Sequence, residues 1–344
     1  MVSLNAIKQH LKVLMFFFSS RFVPFGRSNG TVAINMFPTF GSWGGSSVFV
    51  HQFVRELRRS GYRAVFDLHG TVDAIMLIDP RPDLLNKAFS MAEILAYRKT
   101  HPHVKIIHRI NECDQRKGTS FMDETLRQAN FQADYTVFIS EWLRDYFCGL
   151  WFDAQRPHAT IYNGADDTVF NAGEQVGEQA DTVFRLVTHH WSDNPMKGFP
   201  VYKLLDDLIA NGNLPGVEFW VIGNWPKGLV WRAAKTFPPA SGHNLAGLLR
   251  QCQAYITASL WEPCGMHHVE GAQCGLPLLY HEDGGGIVEA GRKYGLAFRE
   301  ESLVAAIEEM RSAYPEYRQK VSQLMPSGNQ MAVEYVRVVK ELIA

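Results

Sequence analysis

From residue 31 onward, short apolar runs alternate with longer stretches whose apolar residues recur every three or four positions. Runs of the first kind predict strands and stretches of the second kind predict helices. Alternation of the two predicts an α/β fold with parallel sheets. Residues 31–36 and 62–67 read as strands, with a helix over 48–60 between them that Gly61 ends. Residues 74–78, 104–110 and 135–139 read as the next strands, and Ser140 suits the N-cap of the helix that follows. A short strand over 160–162 leads into the turn Asn163-Gly164. Residues 171–182 are polar and acidic and read as a linker.

A second α/β series follows. Residues 184–188, 218–222, 254–257 and 277–280 read as strands, and 199–210, 302–312, 316–324 and 329–343 as helices. In the last helix Ala332, Tyr335, Val336, Val339 and Ile343 form one stripe. The expected division is an N-terminal segment 1–29, a domain over 30–170 joined by 327–344, and a second domain over 171–326. Ligands of open α/β sheets sit beyond the carboxyl ends of strands. Each unusual loop below follows a predicted strand.

Residues 4–22 depart from this pattern. Leu4, Ile7, Leu11, Leu14 and Phe18 fall on one helical face, and Lys8, Lys12, Arg21 and Arg27 all precede the first acid, Glu56. Such a helix lies on an anionic membrane surface or packs on the protein itself; the pattern leaves both open. It is shorter than the roughly 18 apolar residues of a membrane span and has no clear cleavage site.

Composition narrows the classes. The chain has 344 residues, 46% apolar and 20% charged, enough for two ordinary domains. A net charge of −1 gives no field that favours nucleic acid. The five cysteines are odd in number and without paired spacing, which points to reduced thiols and a cytoplasmic setting.

Glu262 and Glu270 carry the strongest chemical signal. They stand in Trp261-Glu262-Pro263-Cys264-Gly265-Met266-His267-His268-Val269-Glu270, followed by Gly271-Ala272-Gln273-Cys274-Gly275-Leu276-Pro277. A helix starting at Gly265 or Met266 presents unpaired N–H groups that attract phosphate. Glu270, about one turn in, can accept both hydroxyls of a ribose. Glu262 on the preceding loop reaches another part of the same ligand. The alternative is a surface loop and an ordinary helix with two solvated acids.

Other loops are weaker taken singly. Gly41-Ser42-Trp43-Gly44-Gly45-Ser46-Ser47 is a ligand loop or a flexible connector. His108-Arg109-Ile110-Asn111-Glu112 ends a strand and is a substrate contact or a hydrogen-bonded loop. Lys197-Gly198 puts a cation at a helix start, unfavourable for the helix dipole unless it meets a phosphate; a surface lysine is the other reading. Gly284-Gly285-Gly286 is a close ligand approach or a mobile hairpin. The His189-His190 and His267-His268 doublets lack zinc spacing, so no metal site is expected.

In this order the motifs resemble the retaining glycosyltransferases of family 4, which have the GT-B fold. The matching stretches are Gly44-Gly45, Asn163-Gly164-Ala165-Asp166 with Phe170, Lys197-Gly198, Ser259 to Gly265 with Glu270, Cys274-Gly275-Leu276-Pro277, and Gly285-Gly286 with Glu289. The resemblance implies two Rossmann-like domains facing across a cleft, with the C-terminal helix returning to the first. It also implies a hexosyltransferase moving a sugar from a UDP- or GDP-linked donor to a glycan or lipid-linked acceptor, without metal or other cofactor.

The same resemblance implies roles. Glu270 holds the ribose, Lys197 the diphosphate and Glu262 the transferred sugar. Gly44, Gly45, Cys264, Gly265, Met266, Gly285 and Gly286 line the donor. His108 stands near the sugar beside Glu262 as a catalytic candidate; Arg109, Asn111 and Glu112, read from their place at a strand end and not from the resemblance, are candidate acceptor contacts. The arginine usual before the lysine is absent: a histidine or Arg232 replaces it, or the diphosphate is held with one fewer fixed charge. A sugar-nucleotide epimerase or phosphorylase on the same fold, or a non-catalytic nucleotide-sugar binding protein, are the alternatives. The expected location is the cytoplasm, at the inner membrane surface if residues 4–22 make that contact.

Overall fold

A computed structural model describes residues 28–39, 45–173, 183–324 and 327–344. Residues 4–22 and Gly44, singled out above, lie outside the described residues. The chain divides into one unit of residues up to Tyr162 plus Gly328–Ala344 and a second of Asn163–Ser327.

The first unit runs β1 (Thr31–Ile34), α1 (Gly45–Arg59), β2 (Arg63–Val65), β3 (Ala74–Leu77), α2 (Met91–Thr100), β4 (Lys105–Ile110), α3 (Asp114–Lys117), α4 (Met122–Asn130), β5 (Tyr135–Phe138), α5 (Glu141–Cys148) and β6 (His158–Thr160). Its six strands are parallel in the order β2-β1-β3-β4-β5-β6. Helices cover both faces, so these strands are apolar on both sides. Val32, Ala74 and Met76 point to one layer, with Phe49, Phe53 and Leu57 of α1. Ala33, Ile75 and Leu77 point to the other, with Ile94 and Tyr97 of α2. Alternation of side chains along each strand produces the two layers.

The helix α12 (Gly328–Ile343) belongs to this unit. Tyr335, Val336 and Val339 enter the α1 layer, where Tyr335 meets Phe49 edge-on at 4.6 Å. Ser140 caps α5 by accepting the Leu143 N–H. Ser90 and Glu93 form a capping box at the start of α2.

The second unit contains β7 (Phe184–His190), a 3-10 turn Pro195–Lys197, α6 (Phe199–Ala210), β8 (Val217–Gly223), β9 (Lys235–Phe237), α7 (Gly242–Leu249), β10 (Ala254–Thr257), α8 (Met266–Gln273), β11 (Leu278–His281), α9 (Ile287–Tyr294), β12 (Gly295–Phe298), α10 (Leu303–Ser312) and α11 (Tyr314–Leu324). Its sheet is also parallel, ordered β12-β11-β10-β7-β8-β9. Leu186, Phe219, Ala254, Ile256 and Leu279 pack against Tyr202 and Leu205 of α6 and Ile307 of α10. On the opposite face α8 lies close to β10: a Cβ on Gly271 would stand 2.5 Å from the Tyr255 ring. The chain winds outward from β7 in one direction and from β10 in the other. The switch point, where an α/β sheet opens a crevice at its carboxyl edge, therefore falls between β7 and β10.

Among the described residues no helix is long and apolar enough to cross a membrane. All five cysteines are free thiols, four of them buried.

Candidate functional site

The loops leaving β7 and β10 meet at the switch point of the second unit. After β7, Asn194 caps the turn Pro195–Lys197 by accepting the Met196 N–H, and the Met196 carbonyl accepts Leu260 N–H from the loop after β10. Gly198, at φ 78°, then opens α6; a Cβ there would come within 2.1 Å of the Ala258 carbonyl. Only glycine lets the lysine turn sit this close to the end of β10. The result is an ion pair: Lys197 Nζ donates to Glu262 Oε2 at 2.8 Å, with side-chain exposures of 14% and 13%.

The backbone before Glu262 is strained. Trp261, at φ 48°, is the only non-glycine residue with positive φ among the described residues. A bulky side chain in that region costs roughly 1–2 kcal/mol, and such outliers gather at functional sites. A graft onto the glycine loop holds it there: Trp261 and Glu262 N–H donate to the Asp283 and Gly284 carbonyls. Gly285, at φ 67°, faces the Trp261–Glu262 backbone, where a Cβ would sit 2.9 Å from Trp261. This loop makes a close approach to the chain's own backbone. Gly286 follows as the N-cap of α9.

Gly265 is the N-cap of α8, with Met266 its first residue. Asn163 Nδ2 donates to the buried Cys264 carbonyl at 2.7 Å and pins this entry. Glu270, one turn in, is 7% exposed and accepts from His189 Nε2 at 2.8 Å. Behind it, Tyr255 Oη accepts the His189 backbone N–H at 2.9 Å and donates to His189 Nδ1 at 3.1 Å. His190 points to the opposite face, bonded to Tyr202 Oη at 2.9 Å. His267 Nε2 bonds Thr257 Oγ1 at 3.0 Å, and burial, reinforced by Lys197, holds its proton affinity well below the usual histidine range. Burial also lowers His268 to about 4, against the opposing pull of Glu262. Both His268 ring nitrogens are buried without a hydrogen-bond partner. Among the described residues no group of three His, Cys, Asp or Glu side chains is arranged to hold a metal ion.

The structure thus brings Lys197, Glu262, Cys264, Gly265, Met266, Glu270, Gly285 and Gly286 into one unit around one sheet edge. Gly45, which starts α1, and the His108–Glu112 stretch belong to the other unit. Two of those residues need correction. His108 is fully buried on β4 beside Asn130 Nδ2, and desolvation drives it down to about 3; it has no surface to offer a sugar. Arg109 is also buried, donating from Nε to Tyr335 Oη at 3.1 Å with its guanidinium 4.3 Å over the Phe49 ring, so it supports α12 and meets no acceptor. Asn111 donates to Ser46 Oγ, and Glu112 pairs with Lys117. Arg232 does not stand in for the absent arginine: it pairs with Asp207 near the C-terminal end of α6.

Sequence reasoning missed His189, Tyr255 and the strain at Trp261. The His189-His190 doublet was visible, but strand alternation sends its two rings to opposite faces, and only the fold shows which one reaches Glu270.

No family model matches the chain, and no curated protein matches it by sequence. Solved structures do resemble it. A glycosyltransferase from Rickettsia africae ESF-5 superposes with a TM-score of 0.67 over 92% of this chain and 99% of that one, at 13% identity. Sucrose-phosphate synthase from Thermosynechococcus elongatus gives 0.65 over 91% and 99%, at 12% identity. HepE from Anabaena in complex with UDP and glucose gives 0.63 over 90% and 99%, at 14% identity. These likenesses show the fold: the chain has the GT-B architecture of two Rossmann-like units.

Proposed function

We propose that the protein is a glycosyltransferase that moves a hexose-type sugar from a nucleotide diphosphate sugar to a glycan or lipid-linked acceptor, with retention of configuration. One observation carries the reading: Lys197, Glu262 and Glu270 converge with the start of α8 at the switch point of the second unit. In this reading Glu270 accepts the ribose hydroxyls. The first-turn N–H groups of α8 and Lys197 take the diphosphate and stabilise the charge that develops as it leaves, in place of a metal ion. Glu262 exchanges part of its bond to Lys197 for the hydroxyls of the sugar. The departing phosphate accepts the acceptor's proton on the same face, which preserves the anomeric configuration and needs no protein base.

A thermal-shift screen against UDP-, GDP- and ADP-sugars tests the donor class. A donor present at about 100 times its Kd stabilises the native state by about 2.7 kcal/mol. Glu270→Ala should lose most of that gain. If no nucleotide sugar moves the melting point, or if Glu270→Ala binds the donor as tightly as the unsubstituted protein in calorimetry, the reading fails. The anomer of the product, read by NMR, decides retention. For the acceptor, the basic amphipathic stretch 4–22 suits a lipid-linked substrate at an inner membrane surface. Equal binding of anionic liposomes by the full chain and by residues 28–344 would remove that suggestion.

A further inference from the structure

We propose that His189 is a positioning residue for Glu270: with Tyr255 it forms a relay that fixes the carboxylate for recognition of the nucleotide's vicinal ribose hydroxyls. This rests on the reading of Glu270 as the ribose acceptor. Three observations carry it. First, both ring nitrogens and the backbone N–H of His189 are engaged. Against a carboxylate oxygen Nε2 is the donor, so Glu270 Oε2 fixes the proton there and leaves Nδ1 to accept from Tyr255 Oη. Tyr255 Oη also accepts the His189 N–H at 2.9 Å and stands 3.4 Å from the His189 carbonyl, so one hydroxyl holds both the ring and the backbone of His189.

Second, the ring cannot swing away. It sits edge-on to Tyr255 at a centroid distance of 5.6 Å and tilted against Trp191 at 5.8 Å, and it is fully buried. The pairing of β7 with β10 ends at Val187–Tyr255, two residues before His189, and the His189 N–H goes to the Tyr255 hydroxyl. The relay therefore stands at the switch point itself.

Third, the relay uses one carboxylate oxygen only. Oε1 of Glu270 makes no hydrogen bond to any described residue. A single fixed bond on Oε2 orients the carboxylate plane and leaves acceptor capacity for two hydroxyls. Positioned groups of this kind are what a site needs to hold a substrate in one geometry.

The test separates ribose recognition from general folding. Calorimetry of the full chain with UDP, GDP and ADP identifies the base that binds; the 2′,3′-dideoxy form of that nucleotide is then compared. The unsubstituted protein should prefer the ribonucleotide by roughly tenfold or more, as expected for hydrogen bonds to a charged group. Glu270→Ala should abolish that preference. His189→Phe, which keeps ring volume, should weaken the ribonucleotide roughly tenfold and leave the dideoxy nucleotide unchanged. His189→Gln, which keeps a donor near the Nε2 position, should recover part of the preference. In turnover, donor KM should rise with kcat nearly constant.

If His189→Phe weakens both nucleotides alike, or keeps the full preference while Glu270→Ala loses it, the positioning role is refuted and the ribose reading survives. If the unsubstituted protein shows no preference, the ribose reading itself falls, and the relay has nothing to position. Should His189→Phe fail to fold, Tyr255→Phe breaks the relay at its other end: a reduced preference supports the proposal and an undiminished one overturns it.

Discussion

Lys197→Met puts a number on the ion pair beside the strained loop. At the observed 2.8 Å, two unit charges attract by about 6 kcal/mol with an effective dielectric of about 20. Desolvation of both groups returns several kcal/mol of this, so the intact pair contributes little net stability. Removing one partner is different. It leaves the Glu262 carboxylate, only 13% exposed, without its cation, at an expected cost of about 3 kcal/mol. Adding Glu262→Gln discharges that carboxylate, and the double variant should regain at least ~2 kcal/mol. For a unit of this size each kcal/mol is worth about 2–4 °C, so Lys197→Met should melt about 6–12 °C low and the double variant within a few degrees of the parent. Scanning calorimetry without nucleotide measures this directly. A single variant that melts with the parent, or a double variant no better than the summed singles, refutes the argument.

Gly198→Ala should destabilise the second unit by about 3 kcal/mol, from the left-handed backbone and the clash with the Ala258 carbonyl together; an unchanged urea midpoint would contradict this. His268→Leu should stabilise the protein by about 1–3 kcal/mol near neutral pH, because it removes two buried nitrogens that have no partner. The same substitution should flatten an acid slope. Burial lowers His268 to about 4, so between there and the ordinary value near 6.5 the unfolded chain binds the extra proton and stability falls as pH falls. Between about pH 7.5 and about pH 5 the variant should lose about 2 kcal/mol less stability than the parent in urea, with His108 and His267, also lowered by burial, keeping part of the slope; identical losses in both proteins would count against the assignment.

Much of the strand placement was readable because parallel strands covered on both faces must be apolar runs, as in β10 and β7, while their order in the sheets was not. The helix carrying Glu270 was readable for a chemical reason: Pro263 and Gly265 punctuate its start. The helix α2 went unread although Ser90 and Glu93 spell a capping box, since it buries only Ile94 and Tyr97 and shows no clear stripe. His108 and Arg109 misled because polar residues at a strand end look the same whether they meet a ligand or a buried partner. Their partners, Asn130 and Tyr335, come from distant parts of the chain, and nothing local names them. The triple glycine has a close neighbour that nothing local names, the Trp261–Glu262 backbone. His189 and Glu270 stand 81 residues apart, and only the closing of β7 against β10 makes them a pair.

The place of α12 in the first unit has a consequence for synthesis. Tyr335 and Val339 complete a core whose other members, Phe49 and Phe53, leave the ribosome early. Between them the whole stretch Asn163–Ser327 must be translated, on the order of 10–30 s at about 5–20 residues per second. For that time the nascent first unit carries an open apolar face, while the second unit already has every residue of its own sheet. The unit made first is the one finished last, and the interval in which a chaperone can act is set by the length of the unit inserted into it.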